Sequence, residues 1–104
     1  MSNYVLAYTG GSMAETEEEQ AAVMAAWGSW LEGLGSALVD AGNPFGPSAS
    51  VASDGATSEG APSGLTGYSI ITADGLDAAT AQVKGCPVLT SGGAVDVYEI
   101  FPVM

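Results

Sequence analysis

The chain has no histidine and no arginine, and it carries one lysine (Lys84) and one cysteine (Cys86) in 104 residues. The side chain that most often moves protons near neutral pH is absent, so a base must be a carboxylate or a perturbed Tyr, Cys or Lys. Asp40 is the first candidate for a catalytic residue. It lies at the end of a long apolar-striped segment, beside the turn sequence Gly42–Gly46 (GNPFG), where a cleft between a helix and a sheet would open. A carboxylate buried there could act as a base; an aspartate that caps the local backbone is the competing reading. Trp27, Asn43 and Tyr68 are the candidate ligand-binding residues. Trp27 either lines a pocket between helix and sheet or packs in the core. Asn43 and Tyr68 either offer polar contacts to a ligand or serve a turn and a half-buried strand.

Other groups promise less. Cys86 could attack an electrophile only beside a base and a positive charge, and a small buried residue after a helix is the alternative. Glu15, Glu17, Glu18 and Glu19 form an acidic run without calcium-loop spacing, so no metal is expected. Gly10–Gly11 before a helix starts like a phosphate-binding loop but matches no full motif, and no lysine follows. No cofactor is implied.

Twelve acidic residues give a net charge of −11. Phosphate neutralisation needs clustered Lys and Arg, so neither nucleic acid nor an anionic membrane surface suits this chain. The same shortage leaves little to hold a carboxylate or phosphate, so a ligand is expected to be neutral or cationic and partly aromatic. The opening MSNYVLAYTGG lacks the basic start of a signal peptide, no run is long enough to cross a membrane, and the lone cysteine fits a reducing compartment. The expectation is a cytoplasmic protein. With 47% hydrophobic residues, the sequence reads as one folded domain over 1–104.

The elements that must position these groups centre on Glu17–Val39, which reads as one long amphipathic helix. Val23, Trp27, Leu31, Leu34 and Leu38 share a face that Met24 and Trp30 widen. Thr16 and Glu19 have capping-box spacing, Gly42 is the expected left-handed residue after the helix, and Pro44 cannot continue it. Tyr4–Thr9 precedes it as a strand, with Gly10, Gly11 and Ser12 as the turn. Ser48–Ser53 is a weak strand, Asp54–Gly64 a loop by composition, and Gly67–Ala73 a strand apolar in both registers. A second helix runs over Leu76–Lys84, capped by Asp74 or Gly75, with Leu76, Ala79 and Val83 buried. Ala94–Val103 is the last strand, with Pro102 near its end.

Strand, helix, strand, strand, helix, strand is the α+β, ferredoxin-like βαββαβ order: a four-stranded antiparallel sheet with two helices on one face. Strands one and three are apolar in both registers, so their second face needs a cover. A second copy of the sheet supplies it, giving a homodimer through sheet faces, a dimeric α+β barrel.

Four segments, YVLAYTGG, MAAWGSWLEGLGSALVDAGNPFG, LTGYSIITADGLDAA and KGCPVLTSGGAVDVYEI, together resemble the YCII-related family of small dimeric α+β barrel proteins, relatives of the DGPF-type proteins. The resemblance implies the same fold and dimer. It also implies, for some members, a histidine on the first helix with an aspartate near its end, and for a few relatives lyase or isomerase activity on small ring compounds. Here Asp40 is the match for the aspartate, and no residue matches the histidine. Two functions follow as expectations. One is a small-molecule-binding protein or cofactor-independent lyase or isomerase, with its pocket between the first helix and the sheet. The other is a non-catalytic dimeric accessory module.

Overall fold

The computed structural model of the protein describes residues 1–10 and 15–101. In chain order its elements are β1 (Ser2–Thr9), α1 (Glu17–Leu34), β2 (Leu38–Asp40), β3 (Ala49–Val51), β4 (Thr57–Glu59), β5 (Leu65–Ala73), α2 (Leu76–Val83) and β6 (Ala94–Ile100). Short 3-10 turns follow the helices, at Gly35–Ala37 and Pro87–Ser91. The main sheet is antiparallel with the order β2-β5-β1-β6, while β3 and β4 pair only with each other. Without that small ribbon the order is βαββαβ, and the fold is the expected ferredoxin-like α+β arrangement.

Alternation along the strands sorts the two sheet faces. Tyr4, Leu6 and Tyr8 of β1 sit opposite Ile71, Ser69 and Gly67 of β5, and these six positions are buried. Ala79 and Val83 of α2 pack on this face with Cys86 and Val88. Trp27, Trp30 and Leu34 bring α1 to the same face. Both helices therefore cover one side of the sheet. The other register (Val5, Ala7, Tyr68, Ile70, Asp96, Tyr98 and Ile100) forms the open side.

The start of α1 follows its sequence signal. Thr16 Oγ1 accepts the Glu19 N–H at 3.1 Å, and the Glu19 carboxylate accepts the Glu15 N–H at 2.9 Å. The Thr16 bond satisfies a donor that the helix start leaves free, and the Glu19 carboxylate ties down the residue before the cap. Its end does not follow. The helix stops at Leu34, not Val39, because Gly35 takes a positive φ of 55° and turns the chain into β2. Leu38 reaches the core as expected, but from a strand opposite Ile71 rather than from a helical stripe. Of the expected apolar face, Val23 and Met24 are exposed, and no residue of α1 is fully buried.

This reassigns the second strand of the main sheet. Leu38–Asp40 takes the place expected of Ser48–Ser53, which instead contributes β3 to the ribbon. Its small residues have no apolar face with which to enter the main sheet. The segment expected as a loop supplies β4. Asp54 Oδ1 accepts the Ala56 N–H at 2.9 Å, and Gly55 takes φ 90°, so Asp54-Gly55 acts as a hairpin turn. The second helix ends at Val83, with Gly75 as its N-cap; Ala79 and Val83 are buried, but Leu76 is about half exposed. β6 ends at Ile100. Gly11, Ser12 and Pro102, read from sequence as turn and strand-end residues, lie outside the described residues.

Candidate functional site

The layer between α1 and the sheet, where a pocket was expected, is filled with rings. Tyr8 meets Trp27 edge to face at 5.1 Å between centroids, and Trp27 meets Trp30 in the same way at 5.7 Å. Such T-shaped pairs set the positive ring edge against a π face, and the Tyr8–Trp27 pair holds α1 to β1. Trp30 Nε1 donates to the Gln82 carbonyl at 3.2 Å, which ties α1 to α2. Beneath them the Tyr8 hydroxyl donates to Ser69 Oγ at 2.7 Å, and Ser69 Oγ donates to the Ala41 carbonyl at 2.7 Å. Burial pushes the Tyr8 phenol up to about 12, against the pull of the Ser69 hydrogen bond. Cys86 is buried in the same core, and desolvation pushes its thiol up, which makes it a poor nucleophile. Trp27 thus packs between Tyr8 and Trp30.

Asp40 and Asn43 shape the connector that follows β2. Asp40 Oδ1 accepts the Gly42 N–H at 2.8 Å, an Asx-type turn on an exposed side chain. Asn43 takes part through its backbone carbonyl, which accepts the Tyr68 N–H at 3.4 Å. Two glycines let this connector lie directly against β5. A Cβ on Gly42, which has φ 75°, would collide with the Tyr68 carbonyl, and one on Gly67 would come within 3.2 Å of the Asn43 carbonyl oxygen. Pro44 bridges to Gly67, and the Phe45 N–H donates to the Thr66 carbonyl at 2.9 Å. The Phe45 ring is thereby set over Tyr68, stacked with a 17° interplanar angle and centroids 5.7 Å apart.

Tyr68 faces the open side of the sheet, and there a trough of about 530 Å³ runs over the strands. Its origin is a size difference in one register row. Ala7 of the central strand β1 lies between Tyr68 of β5 and Asp96 of β6, so a methyl group forms the floor between two larger walls. Val5 continues the floor, with Tyr98 opposite it on β6. Phe45, Ser63 and Leu65 close the side next to the connector. Of the four residues singled out from sequence, the trough takes Tyr68; Trp27, Asp40 and Asn43 lie elsewhere. Ala7, Asp96 and Tyr98 were missed. The available signal was an alanine inside a strand that is apolar in both registers, but its neighbours depend on strand pairing that one strand alone does not specify. A smaller cavity of about 180 Å³ opens between Thr72, Asp74, Ala78 and the turn at Ser36–Ala37.

A family model, the YCII-related domain, matches residues 1–104. The chain belongs to the YCII-related family. No curated protein matches it. In this YCII-related chain the histidine that the resemblance implied for the first helix is absent, since the sequence contains none. Asp40, matched to the family's aspartate, spends one carboxylate oxygen on its own turn. Among the described residues, no helix is long and apolar enough to cross a membrane.

Proposed function

We propose that this YCII-related chain is a small-molecule-binding protein that acts as a homodimer through the open face of its sheet, with the trough over Ala7 as its ligand site. The observation that carries this reading is the trough itself: a concave, largely apolar surface with a few polar groups at its edge, which is the usual make-up of a small-ligand site. The dimer follows from the same face. Val5, Ile70, Tyr98 and Ile100 leave it apolar, Asp96 is the charged side chain among the residues that line the trough, and a second sheet would cover it at a face-to-face spacing of about 10 Å. Over a floor of alanine a hollow would remain between the two sheets. A reducing cytoplasm suits the protein, because Cys86 is a buried thiol.

A thermal-shift screen against neutral and cationic metabolites tests the site. A ligand at about one hundred times its dissociation constant adds about 2.7 kcal/mol of stability. We expect a stabilising ligand whose effect disappears in Ala7→Leu, which fills the floor, and survives in Asp40→Ala. A ligand lost in Asp40→Ala but retained in Ala7→Leu would move the site back to the connector.

The packed layer between α1 and the sheet favours a second reading, a non-catalytic accessory module whose open face receives only a second copy of the chain. A clean negative across the screen, with an intact dimer, supports that reading.

A further inference from the structure

The trough combines three aromatic rings and a carboxylate without a compensating cation. Phe45, Tyr68 and Tyr98 line it, and Asp96 stands on the far side of Ala7 from Tyr68. Two strand spacings separate Asp96 and Tyr68, roughly 10 Å between their backbones. The space between them therefore admits a group about the size of a small ammonium head. An aromatic face presents negative electrostatic potential to a cation, and a carboxylate adds an opposite charge at short range. The only basic side chain in the sequence, Lys84, caps the end of α2 on the helix-covered side of the sheet, so it does not neutralise Asp96 across the trough. The net charge of −11 further concentrates cations around the molecule. The polar atoms facing the trough point the same way: an anion would meet the Asp96 carboxylate with no lysine or arginine to hold it.

We infer that the trough selects small organic cations, of the quaternary-ammonium or protonated-amine class with an apolar body. This rests on the reading of the trough as a ligand site and adds the chemical class. The ammonium head sits over Ala7 between Asp96 and the Tyr68 ring. Tyr98 contributes a second ring, and the apolar body lies along Val5 and Leu65.

The test compares choline with its uncharged carbon isostere 3,3-dimethylbutan-1-ol, by calorimetry or by chemical-shift titration of the aromatic protons. In the wild-type protein choline should bind at least about tenfold more tightly than the alcohol. Asp96→Asn keeps the shape and removes the charge. It should weaken choline about tenfold and leave the alcohol unchanged. Raising the salt concentration should weaken choline alone, because salt screens the approach of a cation to the acidic molecule and leaves the uncharged alcohol untouched. Equal affinity for the two probes, or an unaltered choline affinity in Asp96→Asn, would overturn the selectivity and leave the trough as a site for neutral ligands. Failure of both probes to bind would overturn the selectivity and the binding site together.

Discussion

Tyr8 shows how one residue serves structure here where a phenol elsewhere could serve chemistry. Its hydroxyl is buried and donates to Ser69, which passes the hydrogen bond on to the Ala41 carbonyl, so the relay ends on backbone. Burial favours the neutral phenol, and its pKa rises from 10.0 to about 12 on folding. A group whose folded pKa is raised gives stability that is complete below the unfolded value and lost as pH rises through the folded one. The unfolding free energy should therefore fall as pH climbs from about 10 through about 12. In Tyr8→Phe, urea titrations across that range should show a smaller fall, with a loss near neutral pH of about 1 kcal/mol for the missing hydrogen bond. An alkaline fall unchanged in Tyr8→Phe would place the titrating group elsewhere, for example at Tyr4, which burial and Glu99 also push up. At the same scale, Asp40 and Asn43 illustrate why residue type did not reveal role. Their sequence signals fit turn and site equally, and it is the hydrogen bonds accepted from the Gly42 and Tyr68 N–H groups that show their part in the turn.

At the scale of elements, α1 is the least secure piece of the fold. None of its residues is fully buried, and its hold on the sheet rests on Trp27 and Trp30, with Leu34 beyond them. Trp27→Ala should cost about 2 kcal/mol, below the range for a fully buried tryptophan because Trp27 is only partly buried. Hydrogen exchange should then show α1 amides opening more readily than those of β1 and β5. Equal protection in the variant would mean that the ring ladder does not anchor the helix. The cap at Thr16, the strand at Tyr4–Thr9 and the strand around Ile70 were legible in the sequence because each carries a local signal: cap spacing or a dense apolar run. The end of α1 was not. Leu38 stands four residues after Leu34, so helical periodicity continues through it, and only Gly35 marks the break. The Asp54-Gly55 hairpin was hidden for the opposite reason: its strands are short and small, and loop composition masked the turn signal.

At the scale of the whole molecule, the two sheet faces divide the work. One is sealed by the helices and their rings. The other is open, apolar and hollowed over Ala7 between Tyr68 and Asp96. The fold class was legible because the element order and the double apolar register of β1 and β5 are properties of the sequence. The site was not, because its walls come from strands remote in sequence and meet only through register. The open face is the proposed working surface. Its most direct test is sedimentation equilibrium of the wild-type protein beside Ile70→Glu, a substitution at the centre of that face. We expect a wild-type mass twice that of the 10.3 kDa chain, and a folded monomer for Ile70→Glu by sedimentation and circular dichroism. A wild-type monomer, or a dimer undisturbed by Ile70→Glu, would contradict it.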